Sequence, residues 1–219
     1  MMKTPARIVT FLTLTLLVTA VTGLADTMSE TFSFTITPTP FTIDSSAVQQ
    51  FDPTLGTLTS IEIDVSGSDS GTATITNNTS ASGTYNFTIG ATLGLEDPAL
   101  SPLITITPEF SGSLVVPSGG TVTSPVMTSP TVTGTDTLTS GFAPYIGTGT
   151  YVFTLVGTAT GSDSGPVPFT ISESNSAGET GEVIYNFTPA STTVPEPSSI
   201  LLFGSGLSLV AMILRRRRA

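Results

Sequence analysis

From Thr31 to Phe187 the chain keeps returning to one pattern: a small hydroxyl residue, then an apolar one. Thr31-Phe32-Ser33-Phe34-Thr35-Ile36 alternates in this way, as do Thr72-Ala73-Thr74-Ile75 and Thr84-Tyr85-Asn86-Phe87-Thr88-Ile89. Thr57 to Val65 obeys the rule with one slip at Ser60. Leu103 to Thr107, Thr131 to Thr139, Tyr151 to Leu155 and Val183 to Phe187 continue it. A period of two sends successive side chains to opposite faces of an extended strand, one toward a core and one toward water. β-branched and aromatic residues supply the apolar side. Gly, Pro, Ser, Asn and Asp gather between the runs, as turns require. Between residues 26 and 190 no stretch repeats apolar residues at helical spacing over three turns. The pattern predicts an all-β domain over 26–190, an antiparallel β-sandwich of eight to ten short strands. Its core is expected to hold Phe51, Leu58, Ile61, Ile63, Val65, Phe87, Ile89, Ile104, Tyr151, Phe153, Leu155, Ile184 and Phe187. Gly67-Ser68-Asp69-Ser70-Gly71 recurs at Gly161–Gly165. It reads as a glycine-bounded turn in both places, through duplication or through shared turn chemistry.

Composition narrows the chemistry. Of 219 residues, 42 are Thr and 27 are Ser, while Cys, His and Trp are absent. All six basic residues are terminal: Lys3, Arg7 and Arg215 to Arg218. Between Ala25 and Pro195 there is no Lys or Arg, and that stretch carries fifteen of the sixteen acids, a net charge of −15. Such a surface cannot displace phosphate counterions, which argues against nucleic-acid binding. Without Cys there is no disulfide, thiolate nucleophile or Cys-based metal site. Without His the commonest general base and metal ligand are missing.

The two ends read as addresses. Met1 to Arg7 is short and basic, Ile8 to Val21 is an apolar run, and Gly23-Leu24-Ala25 places small residues three and one positions before a cut. That is the pattern of a secretory signal peptide over 1–25, cleaved after Ala25, its helix too short to span a bilayer. At the other end a Thr/Ser linker leads into residues 191–219. There Pro195-Glu196-Pro197 precedes Ser198 to Leu214, 17 residues without charge, and then Arg215, Arg216, Arg217 and Arg218. As a helix the run is about 25 Å long, a transmembrane segment whose arginines snorkel to the interface and stay cytoplasmic. The order Pro-Glu-Pro, apolar span, arginine cluster resembles the PEP-CTERM sorting signal of Gram-negative bacteria. The resemblance implies recognition by the membrane protease exosortase, passage through the inner membrane to the cell surface or extracellular matrix, and a link to exopolysaccharide and biofilm.

Within the domain, Phe51-Asp52-Pro53-Thr54-Leu55-Gly56-Thr57-Leu58-Thr59-Ser60-Ile61 and Ile146-Gly147-Thr148-Gly149-Thr150-Tyr151 resemble two strands of the choice-of-anchor E domain. That resemblance implies an extracellular β module: a place and a fold rather than a reaction. Read physically, Asp52-Pro53 opens a turn, and Phe51, Leu55, Leu58 and Ile61 plug one end of the sandwich.

Candidate ligand residues are few. Asp64, Asp69 and Asp163 lie in or beside the two glycine-bounded pentapeptides, and carboxylates with loop carbonyls suit calcium. The competing reading is a solvated turn stabilised by Asp. Glu62/Asp64 and Glu96/Asp97 are the carboxylate pairs a hydrolase would use. With no Trp for sugar stacking and no Arg to clamp a substrate, the expectation is a protein that is not an enzyme. Thr131, Thr133, Thr135, Thr137 and Thr139 form a hydroxyl ladder similar to the Thr-x-Thr arrays of ice-binding β proteins. The plainer reading is a solvent-facing strand. Asn77, Asn78, Asn86 and Asn186 match N-glycan acceptor spacing. The chain thus reads as a non-enzymatic exported surface protein, with a ligand-binding module for calcium, polysaccharide or ice as the alternative.

Overall fold

The computed structural model describes residues 25–190. The expected signal-peptide helix and transmembrane helix lie outside them. No helix among the described residues is long and apolar enough to cross a membrane. In chain order the strands are β1 (Asp26–Ser33), β2 (Thr37–Pro38), β3 (Phe41–Asp44), β4 (Val48–Gln49), β5 (Gly56–Asn77), β6 (Gly83–Glu96) and β7 (Pro102–Ile106). They continue with β8 (Glu109–Val116), β9 (Thr121–Thr123), β10 (Met127–Thr128), β11 (Val132–Leu138), β12 (Thr150–Tyr151), β13 (Thr154–Ser164) and β14 (Phe169–Pro189). Four of the fourteen are two residues long. The only helical element described is a single 3-10 turn at Ala143–Tyr145.

The strands form a seven-stranded sheet built on β1-β14-β5 and a five-stranded sheet built on β3-β13-β6, each pairing antiparallel. A two-stranded piece, β4-β12, lies beside them. The two sheets face each other over a shared core. The fold class is as the alternation predicts. The strand lengths are not: β5 runs for 22 residues and β14 for 21, paired along their whole length. At about 3.3 Å per residue each is close to 70 Å long.

That length divides the sandwich into two halves. The proximal half contains the entry of the chain at Asp26, paired with Phe187, and its exit at Ala190, whose N–H donates to Leu55 O at 2.8 Å. Its core gathers Phe32, Phe51, Ile61, Ile63, Leu95 and Phe153. The distal half packs Ala73, Ile75, Tyr85, Phe87, Ile89 and Phe110. Between the halves lie Gly67, Asp69 and Gly71 on β5. The turn expected at Gly67–Gly71 is therefore a correction: the pentapeptide sits inside β5, hydrogen-bonded to β14 on one side and to β10 and β11 on the other. Ser, Gly and Asp are poor strand formers in isolation, but partners on both flanks satisfy their backbone groups. The twin at Gly161–Gly165 also lies mostly in a strand, at the end of β13.

Twelve of the thirteen expected core residues are buried. Ile184 is the exception. Register puts Val183, Tyr185 and Phe187 inward and turns Ile184 outward, opposite Glu62. Leu55 is also corrected: it is 44% exposed, in the turn that follows Asp52. The slip at Ser60 is a β-bulge. Asn186 opposes Ser60 and Phe187 opposes Leu58, which leaves Thr59 without a partner. Its hydroxyl donates to Asn186 O at 2.9 Å. One extra residue lets Leu58 and Ile61 face the same core.

Candidate functional site

The two patches that resemble the choice-of-anchor E domain meet. Phe51 and Ile146 form a parallel bridge, Phe51 N–H donates to Tyr145 O at 2.8 Å, and Gly147 N–H donates to Phe51 O at 3.0 Å. Gln50 lies over the glycines, its Oε1 accepting from Gly149 N–H at 3.1 Å and its Nε2 donating to Pro144 O at 3.0 Å. A Cβ on Gly147 would press on that Oε1, so a larger residue there would displace the Gln50 amide from Gly149 and Pro144. Behind this closure sit buried tyrosines. Tyr151 and Tyr185 share a hydrogen bond at 2.8 Å, and Tyr185 Oη donates to Gln49 O at 2.8 Å. Burial pushes the Tyr185 phenol up to about 12 and raises Tyr151 and Tyr145 further. These phenols stay protonated; Tyr151 and Tyr185 are hydrogen-bonded, while the buried Tyr145 Oη has no partner.

The expected calcium ligands are not brought together. Asp64 and Asp69 differ by an odd number of positions on one strand and so project from opposite faces. Asp64 is on the outer face, where Thr135 Oγ1 donates to its Oδ1 at 2.6 Å. Asp69 points inward, is 1% exposed, and is held by Asn175 Nδ2 at 3.3 Å to each oxygen. Burial raises its carboxyl above the ordinary range despite that bond. Asp163 lies on the other sheet. Among the described residues no three acids cluster so as to hold a metal ion.

Other carboxylates are placed as follows. Glu62 and Asp64 share the outer face of β5. Glu96 closes β6, and Asp97 organises the turn after it by accepting from Ala99 N–H and Ser101 N–H, each at 2.8 Å. Glu179, which the alternation does not single out, is 3% exposed, and neither of its oxygens has a hydrogen-bond partner. Burial pushes it up to about 8.

The outer face of the seven-stranded sheet is a field of hydroxyls. On β5 Ser66, Ser68, Ser70, Thr72, Thr74 and Thr76 all point outward. Beside them on β14 stand Thr170, Ser172, Ser174, Ser176 and Thr180. Thr121 and Thr123 on β9 extend two rungs through hydroxyl pairs at 2.8 and 2.9 Å with Thr76 and Thr74. The ladder at Thr131–Thr139 supplies only three rungs to this face, Thr133, Thr135 and Thr137, because β11 spans Val132–Leu138. Their neighbours on β5 are Ser66, Asp64 and Glu62. Around those rungs an open trough of about 710 Å³ runs from Thr133 and Thr135 past Asp64 and Glu182 to Thr31 and Ser33. The larger array was legible only in part, since it depends on which strands lie side by side.

Beyond Ala190 the sequence continues directly into the linker and the Pro-Glu-Pro box. Residues 193–218 match the family of the PEP-CTERM protein-sorting motif. The chain carries a PEP-CTERM tail. The match takes in Pro195, Glu196, Pro197 and all four arginines, Arg215 to Arg218. A PEP-CTERM tail marks an exported protein that exosortase processes at the membrane. No curated protein matches the chain. Among solved structures, mud crab tombus-like virus aligns at 10% identity over 92% of this chain and 96% of that chain, with a TM-score of 0.20. Infectious bursal disease virus strain Gx aligns at 10% identity over 78% of this chain, with a TM-score of 0.15. This chain spans 37% of the latter's length. Neither superposition is close enough to carry an argument about fold or function.

Proposed function

We propose that the chain is a non-enzymatic surface or matrix protein of a Gram-negative bacterium, delivered by exosortase and associated with exopolysaccharide. The observation that carries this reading is the PEP-CTERM tail joined by a short linker to a cation-free β-sandwich. Among the described residues the opposed carboxylates Asp64 and Glu182 lie in an open trough on the outer face, with no His, Cys, Lys or Arg beside them. The contact between Phe51 and Ile146 supports a domain similar to the choice-of-anchor E type. The membrane is a partner only before processing, through residues 198–214. Glu196→Ala should leave unprocessed protein in the inner membrane of an exosortase-positive cell, measured by fractionation and the mass of the mature chain. Normal maturation of that variant would remove the tail reading.

The hydroxyl field favours a second reading, a module that binds a neutral polyhydroxyl polymer. Its columns are about 4.8 Å apart and its rungs about 6.6 Å apart along a strand, an even lattice of donors and acceptors. Replacing Thr72, Thr74 and Thr76 together by Val keeps strand propensity and removes half of the β5 column. Retention on an immobilised neutral polysaccharide should fall by about tenfold or more if several hydroxyls bind at once. Equal retention would leave the field as solvated surface.

A further inference from the structure

One flank of the distal half is unfinished. β3 pairs with β13 only along Thr154–Gly157, so Thr158–Ser164 has β6 on one side and no strand on the other among the described residues. On the opposite sheet, β1 and β2 pair with β14 only from Ser176 onward, and Phe169–Ser174 is likewise unpaired on its outer side. Two free edges, one from each sheet, therefore lie on the same flank, joined by the segment Gly165–Pro168.

The inner side of this flank is open as well. Ala159, Gly161 and Asp163 oppose Ala91, Ile89 and Phe87, all buried, so by register they face inward. All three are nevertheless exposed. Phe169 and Ile171 on β14 are only half-buried against the distal core. An uncovered free edge is a template for another strand. Proteins block such templates with lysine, proline, a bulge or an inward charge. Lys is absent here, and the device present is inward charge. Glu173 faces in from β14, and a Cβ on Gly161 would lie 2.8 Å from its Oε2, so the carboxylate rests on the inner face of β13 beside Asp163. Burial and the Asp163 charge raise the Glu173 carboxyl above its ordinary range. These two are the carboxylates facing the gap. β6 contributes Tyr85, whose ring lies 5.1 Å from that of Phe169, with Phe87 and Ile89, and β5 contributes Ala73 opposite Glu173.

We propose that this flank is a self-association edge on which a second copy of the chain docks, Thr158–Ser164 against the same segment in antiparallel register, held open while Asp163 and Glu173 are both charged. Three observations favour a second copy. A two-fold axis normal to the sheets extends both at once, because both free edges lie on one flank. Thr158, Ala159, Thr160, Gly161 and Ser162 are small enough for two identical edges to approach. The flank also lies in the half remote from Asp26 and Ala190, so neither terminal segment of the chain departs near it.

Sedimentation velocity of the purified exported protein tests the proposal. Wild type should be monomeric at pH 8 and dimeric at pH 4.5. Asp163→Asn with Glu173→Gln should dimerise at pH 8 with at least about tenfold higher affinity than wild type. Adding Ala159→Asp to that double variant restores an inward charge at an exposed position and should return it to monomer at pH 8. A double variant that stays monomeric at pH 8 and pH 4.5 overturns the proposal. So does a dimer indifferent to Ala159→Asp, which would place the contact elsewhere.

Discussion

At the scale of single residues, the interior is unusual in holding acids without cations. Asp69 has Asn175, which also donates to Gly90 O at 2.9 Å and ties the two sheets together. Glu179 has no such partner and stays neutral because charging it would cost more than keeping its proton. Its folded value of about 8 lies above the ordinary 4.5. The folded state therefore keeps a proton that the unfolded chain gives up. The stability it contributes is complete below about pH 4.5 and is lost as pH rises through 8. Glu179→Gln should remove this dependence. Chemical denaturation should find the variant more stable than wild type at pH 9, by on the order of a few kcal/mol, and little changed near pH 5. Asn77 shows the same interior logic with a neutral group. It is fully buried, and its Nδ2 donates to Ala81 O at 2.8 Å and Val116 O at 3.0 Å. It serves as the organiser of a turn, and its acceptor spacing is incidental.

At the scale of elements, β5 and β14 are the spine. Each polar inward position at the waist interrupts the apolar face without interrupting the ladder. Asp69 N–H donates to Ser129 Oγ at 3.0 Å, and Ser129 N–H donates to Asp69 O at 2.8 Å. The waist is thus fastened from the side as well as by β14. A continuous central strand makes a sharp prediction. Ser70 opposes Ser176 on one side and Thr128 on the other. Ser70→Pro should destabilise the domain by about 3 kcal/mol or more, since proline removes a ladder donor and cannot sit in a central strand. Thermal unfolding measures it; a loss below about 1 kcal/mol would mean that 67–71 behaves as a turn.

At the scale of the molecule, charge dominates. Fifteen carboxylates in residues 26–194 have no Lys or Arg among them. Folding concentrates that charge, and self-repulsion opposes the compact state. Salt screens it over a Debye length of about 10 Å at 0.1 M. The melting temperature should rise with NaCl from low ionic strength. Calcium and magnesium should give equal shifts at equal concentration, because Asp64, Asp69 and Asp163 do not converge. A calcium shift well beyond the magnesium one would reveal a specific site.

Sequence alone determined the class of fold, twelve of the thirteen expected core positions, the irregularity at Ser60 and the sorting tail. Each is encoded locally: alternation needs only neighbours along the chain, a bulge shows as a one-residue slip in phase, and a sorting tail is read as a linear string. Only the tertiary structure decided that Gly67–Gly71 is strand, that Ile184 faces outward, that Asp64 and Asp69 stand on opposite faces, and that Glu179 is buried unpaired. The reason is physical. A pentapeptide of Gly, Ser and Asp has no strong preference of its own, so the ladders on either side determine its conformation. The face a side chain takes follows from register with a strand more than a hundred residues away. Pairing across such distances lies outside any local pattern, and the hydroxyl field and the open flank both arise from it.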